Sequence, residues 1–259
     1  IPVVHEVSAG ISTEHFNETS LNGNKAFALV TTGPGLTNIV TAIAGCYVEH
    51  RELLVISGQV KSTDLLKDKE RQRGVQEVDG TSICSPISVH SCCLKSPVDE
   101  DTFVSYVNMS KGPHPGPVII EVCLDVQGKD IIEHEIKTKF LKNNSNYKQY
   151  VPCKEDIIFT ANRIKEAERP LFLFGGLLSR KVTRKLVYKM EKIGIPIATT
   201  TSAIDRISST SVLNAGRPGT WGGQRSANLI VAQADLVIAV GAQLDLQQTG
   251  FDYSNYAPS

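Results

Sequence analysis

Apolar residues in this chain form two kinds of run. Short β-rich runs bounded by glycine or polar turns occupy residues 26–31, 53–57 and 118–122 in the first half, and 170–174, 196–200 and 236–240 in the second. They are continuous rather than alternating, which predicts strands buried on both faces, as in a parallel sheet with helices on each side. Helical spacing lies between them. Residues 36–49 carry Ile39, Ile43 and Tyr47 on one stripe with Val40 and Ala44 alongside, residues 181–193 form an amphipathic stretch ending at Gly194, and residues 226–233 form a third helix. These lengths fit βαβ crossovers. At the start, Ile1-Pro2-Val3-Val4 reads as the end of a strand that delivers His5-Glu6.

The alternation breaks once. Residues 129–156 include the polar tract 137–149 with Asn143-Asn144-Ser145-Asn146, which reads as a linker. The pattern therefore predicts an α/β protein of two parallel-sheet, helix-flanked domains, 1–128 and 157–259. The charged stretch 67–73 reads as a solvated loop or helix end, with an active-site lid as the alternative.

Composition narrows the function classes. Hydrophobic residues make up 41% and charged residues 21% of 259, as in ordinary globular proteins. Lys+Arg and Asp+Glu are both 27, a balance that favours neither nucleic acid nor a membrane surface as partner. No apolar run approaches the ~20 residues of a membrane helix, and no basic-then-apolar leader opens the chain, so the expected location is the cytoplasm. Cys46, Cys84, Cys92, Cys93, Cys123 and Cys153 form no C-x-x-C pair and read as reduced, mostly buried thiols. Three Asn-x-Ser/Thr triplets, at Asn17, Asn108 and Asn143, read as chance matches outside a secretory context. The six histidines show no ligand spacing. His5, although next to Glu6, reads as structural like the others.

Glu6 has two readings. It is a carboxylate delivered to a site by the apolar run, or an exposed acid opening a helix, where the dipole favours negative charge. Gly33-Pro34-Gly35 reads as a strand-to-helix turn, since glycine tolerates positive φ and proline presets the first helical position. Many α/β proteins have such a turn, so its context matters. The run Thr31-Thr32-Gly33-Pro34-Gly35-Leu36-Thr37-Asn38 is followed by a helix, then by Glu49-His50-Arg51-Glu52 and the strand Leu53-Leu54-Val55-Ile56-Ser57-Gly58-Gln59. Gly74-Val75-Gln76-Glu77 comes next, and Pro115-Gly116-Pro117-Val118-Ile119-Ile120-Glu121-Val122 after it. Taken in order, these segments resemble the pyrimidine-binding domain of thiamin-diphosphate (ThDP) enzymes of the acetolactate-synthase type. Gly194-Ile195-Pro196-Ile197-Ala198-Thr199-Thr200, the Gly-rich stretch 216–223, Ala227-Asn228 and Ala234-Asp235-Leu236-Val237-Ile238-Ala239-Val240-Gly241-Ala242 resemble the central domain of the same enzymes.

That resemblance implies a 2-oxo acid decarboxylase and carboligase using ThDP with Mg²⁺, its sites shared between the subunits of a homodimer. Glu6 would bond the pyrimidine nitrogen and activate the coenzyme, partial burial raising its pKa. Gln76 would face the substrate, and Pro34 and Asn38 would shape the pyrimidine pocket. Gly176, Thr200 and Gly241 would border a nucleotide or FAD in the central, Rossmann-like domain. The chain departs from the family where Val75 replaces an aromatic, where Ser88-Val89 stands for a Thr-Lys pair, where Gly175-Gly176 is one glycine short, and where Gln243 replaces an arginine. The missing arginine argues against FAD. Trp221, in the Gly-rich stretch, reads equally as packing or contact. Full-length relatives have a strand and helix before the glutamate and a third domain whose Gly-Asp-Gly…Asn motif binds metal and diphosphate. No such motif occurs in these residues, so the expectation is a truncated or split piece, inactive alone. The alternatives are a non-catalytic scaffold that kept the fold, and a generic dinucleotide binder, which would explain only the second half.

Overall fold

The computed structural model describes residues 1–20, 22–66, 72–112, 114–129 and 151–258. The chain divides into two compact units, Ile1–Gln149 and Tyr150–Ser259. The predicted linker lies mostly outside the described residues, as does most of the charged stretch 67–73.

The first unit runs α1 (Glu6–Thr19), β1 (Ala28–Val30), α2 (Pro34–Val48), β2 (Leu53–Gln59), α3 (Gly80–Cys84), β3 (His90–Leu94), α4 (Glu100–Met109), β4 (Pro117–Cys123) and α5 (Leu124–Gln127). Its four described strands are all parallel, in the order β1-β2-β4-β3. Side chains alternate across the pleat. Val30, Val55 and Ile119 pack with Leu36, Ile39 and Ile43 of α2 on one face, while Val118 and Ile120 pack with Phe103 and Tyr106 of α4 on the other. Helices α1 and α2 approach closely at Gly10, where a Cβ would stand 2.5 Å from that of Ala42. Asn17 fixes the edge of this layer, its Oδ1 accepting from Ala26 N at 2.7 Å and its Nδ2 donating to Ala26 O at 3.1 Å.

The opening strand is a correction. Residues 1–5 form no strand, Ile1 and Val4 are exposed, and Glu6 is the first residue of a 14-residue helix. His5 caps that helix, Nδ1 accepting from Val7 N at 3.2 Å. A parallel strand needs a neighbour for its N–H and C=O groups, and nothing described pairs with Ile1–Val4, whereas the cap and an acid in the first turn favour the helix.

The second unit runs α6 (Lys154–Glu166), β5 (Pro170–Phe174), α7 (Arg180–Glu191), β6 (Ile197–Thr199), β7 (Asn214–Gly216), α8 (Arg225–Gln233), β8 (Leu236–Val240) and α9 (Leu246–Thr249). Its described strands are again all parallel, in the order β7-β6-β5-β8. Phe172, Phe174 and Ile197 meet Met190 and Leu186 of α7, and Leu171, Leu173 and Ala198 meet Val231 of α8. Helix α6 begins within residues expected as linker, because Cys153 and Asp156 form a capping box. Two four-stranded parallel sheets flanked by helices are the architecture the apolar runs predict.

Candidate functional site

In the first unit, every loop of interest leaves the carboxyl end of a strand or opens a helix. Asn38, in the second turn of α2, donates Nδ2 to Glu6 Oε2 at 3.1 Å. Two helix N-termini thus meet at one carboxylate, and each presents backbone N–H groups that no intrahelical partner uses. The Glu6 carboxyl is held below its ordinary range, first by its own backbone N–H, then by the Asn38 amide, with a smaller contribution from His5. This corrects the expected upward shift, since the carboxylate is open to water and its donors favour the anion.

The Gly-Pro-Gly turn and Gln76 are in backbone contact. Gly33 has φ 60°, and a Cβ there would stand 1.9 Å from the carbonyl oxygen of Gln76. Gln76 itself has φ 59° and is exposed. Glu77 keeps it there. Buried, that carboxylate accepts from Arg73 N at 3.1 Å, Gly74 N at 2.9 Å and Leu66 N. Burial raises the pKa of Glu77, but the three amides outweigh it and the net shift is downward. Beside this loop opens a cavity of about 400 Å³, bordered by Thr31, Thr32, Gln59, Lys61, Val75 and Leu124. Asp125 pins its rim, accepting from Ser62 N at 2.8 Å and Ser62 Oγ at 2.6 Å.

Sequence reasoning gave Glu121 no role. This residue is 2% exposed on β4, its carboxylate accepting from Gln59 Nε2 at 2.9 Å and Thr81 Oγ1 at 3.0 Å. Burial pushes its pKa up, Asp79 adds to the rise, and Thr81 and Gln59 oppose it. A signal was present: one acid inside the apolar run Val118-Ile119-Ile120-Glu121-Val122 is costly to bury without partners.

In the second unit, β5, β6 and β7 proceed to one side and β8 returns to the other side of β5, so the topological switch point lies between β5 and β8. Gly176, Thr200 and Gly241 all sit at this carboxyl end. The loops after β5 and β8 touch through main chain. Leu177 N donates to Gly241 O at 3.1 Å, and a Cβ on Gly175 would stand 2.1 Å from that oxygen. Arg206 donates from Nε to Leu178 O at 2.7 Å and from Nη2 to Gly176 O at 3.3 Å. Thr200 N donates to Phe174 O at 2.9 Å. The exposed Trp221 sits on a loop stitched by Asn228, which both accepts from Gly219 N and donates to Gly219 O.

Among the described residues no group of three or more His, Cys, Asp or Glu could hold a metal ion, and no helix is long and apolar enough to cross a membrane. Residues 1–83 match the family model "Thiamine pyrophosphate enzyme, N-terminal TPP binding domain", and residues 157–259 match "Thiamine pyrophosphate enzyme, central domain". The chain is 29% identical to an acetolactate synthase large subunit of Buchnera aphidicola over 100% of its own residues and 44% of that protein. It is 29% identical to a probable acetolactate synthase large subunit of Methanocaldococcus jannaschii, over 98% of the chain and 42% of that protein. With the acetolactate synthase isozyme 1 large subunit of Escherichia coli it shares 31% identity over 95% of the chain and 42% of the relative. The chain therefore spans less than half the length of these relatives.

Proposed function

We propose that this chain, which belongs to the thiamine pyrophosphate enzyme family, supplies the pyrimidine-binding and central domains of a ThDP-dependent 2-oxo acid decarboxylase and carboligase resembling acetolactate synthase. The observation that carries this reading is the Asn38–Glu6 hydrogen bond between the adjacent N-terminal turns of two helices, one turn from the Gly-Pro-Gly bend. The donor set suits an aminopyrimidine: a carboxylate fixed by an amide, on a surface open to receive a ring. ThDP, when bound, supplies the electron sink for decarboxylation. Glu6 would hold a proton at the pyrimidine nitrogen, and exclusion of water on binding would move its pKa up from its present low position. Asn38 would orient Glu6, Pro34 would shape the pyrimidine pocket, and Gln76 would face the substrate.

Magnesium and the diphosphate would be held outside the described residues, which offer no metal-ligating cluster, and a homodimer would complete the site. The 259 residues alone should then bind ThDP with Mg²⁺ no more tightly than ~1 mM, about 4 kcal/mol. Calorimetry tests this, and micromolar binding would overturn it.

The central unit acts in this reading as a scaffold without flavin. Gln243 offers a phosphate a neutral amide where an arginine would give a bidentate charged contact, and the loops at the switch point contact each other through main chain. Purified protein should carry no stoichiometric flavin by absorbance. One flavin per chain would refute this.

A non-catalytic scaffold is the second reading, favoured by Val75, Ser88-Val89 and Gln243 standing at family motif positions. A chain completed with a metal-binding third domain that still failed to bind ThDP would establish it.

A further inference from the structure

Among the described residues Glu121 is the most deeply buried acid of the first unit, and no part of the proposed chemistry uses it. An ionised carboxylate on a central strand, between Ser57 of β2 and Cys93 of β3 in register, is expensive unless its oxygens are engaged. Both are. Oε1 accepts from Gln59 Nε2 and Oε2 from Thr81 Oγ1, and α3 presses on the group so closely that a Cβ on Gly80 would stand 2.5 Å from Oε1.

Gln59 relays this anchor outward. Its Nε2 also donates to Val78 O at 3.0 Å, while its Oε1 accepts from Val60 N at 2.8 Å and from Thr32 Oγ1 at 3.2 Å. Thr32 precedes Gly33 of the helix-opening turn. Val60 borders the cavity. Val78 follows the Gln76-Glu77 loop that abuts Gly33. The segments at Thr32 and Val78 thus converge with Val60 on one amide, and the Glu121 carboxylate is its one charged partner among these bonds. Hydrogen bonds in such a buried chain reinforce one another.

We infer that Glu121 is a positioning residue: by holding Gln59 it sets the mutual placement of the loops at Thr32, Val60 and Val78 that build the pocket. The inference rests on the reading of these loops as the coenzyme-facing site. Its test needs no coenzyme, so it can fail or succeed independently of that reading.

The titratable groups around Glu121 are Asp79 ahead of α3, Cys84 of α3, Cys92 and Cys93 of β3, and Cys123 of β4. The side-chain amide of Gln59 and the backbone amides of Thr32, Val60 and Val78 would be followed by ¹⁵N–¹H NMR of the intact chain from pH 4 to 9. In wild type these signals should titrate together, with a midpoint above the ordinary carboxylate range. Glu121→Gln keeps an acceptor for Gln59 and removes the charge, so the signals should stay near their wild-type low-pH positions without the titration. Glu121→Val removes the acceptor, so the Gln59 amide should shift towards its solvated value and the three backbone signals move with it, while those of Val118 and Ile119 stay. Unmoved Gln59, Thr32, Val60 and Val78 signals in Glu121→Val would overturn the assignment. If that variant does not fold, Gln59, Thr32, Val60 and Val78 signals of Glu121→Gln that coincide with wild type across the whole pH range do the same.

Discussion

Replacing Glu6 by glutamine should slow proton exchange at C2 of bound ThDP at least ~100-fold in the coenzyme-loaded enzyme, the lower range for a positioned proton-transfer group. The substitution is isosteric and its site is solvent-open, so α1 should form as before. Asn38 would still find an acceptor, the amide oxygen of the new side chain, in place of the carboxylate it now bonds. What is lost is the capacity to hold and release a proton. The low pKa of the free group sharpens the expectation. With backbone and Asn38 donors stabilising the anion, Glu6 would reach its proposed working state only when binding removes water. Hydrogen–deuterium exchange of the coenzyme by quenched-flow NMR reads the effect, and a rate within a factor of two of wild type would remove Glu6 from the chemistry.

Gly33→Ala should destabilise the first unit by about 3 kcal/mol, combining roughly 1–3 kcal/mol for a backbone conformation that residues with a Cβ avoid with the clash costs of overpacking. The φ of 60° is one component, and the added methyl carbon 1.9 Å from the Gln76 carbonyl oxygen is the other. The methyl has no flexible side chain to displace, because the obstacle is backbone that Glu77 holds through three amides. Urea denaturation should show a lower midpoint. A second alanine variant at Gly45, an exposed position inside α2 where a Cβ meets nothing within 4 Å, serves as the control and should lose nothing, since alanine is the better helix former. Equal midpoints for the two variants would mean that Gln76 does not pack against the turn as described.

Much of this fold was written in the hydrophobic pattern. Continuous apolar runs at 53–57, 118–122 and 170–174 became largely buried parallel strands because burial on both faces requires apolar residues at nearly every position, a demand visible in sequence alone, and the run at 236–240 became the half-buried edge strand β8. Strands with weaker patterns were not legible. His90–Leu94 contains His90, Ser91, Cys92 and Cys93 and became β3 through its pairing with β4, a non-local contact that no local propensity encodes. Helix α1 was hidden for a related reason, since its apolar face is small and its packing depends on Gly10 meeting α2.

For the site, motif order named Glu6, Pro34, Asn38 and Gln76, and the parallel topology brings the turn at Pro34 to the carboxyl end of its strand, where Asn38 meets Glu6. Sequence alone determined two things: the α/β architecture, through apolar periodicity, and which residue types stand in each loop. Only tertiary structure decided that Glu6 opens a helix instead of closing a strand, that Asn38 holds its carboxylate, and that its pKa lies low. Tertiary structure also decided that Gln59 bonds Glu121, Thr32, Val60 and Val78 together, and that Leu177 meets Gly241 through main chain. The physical reason is common to all of these. The deciding hydrogen bonds join residues 32 and 62 positions apart, and such long-range pairings, with the burial that accompanies them, set the charge state and orientation of each group.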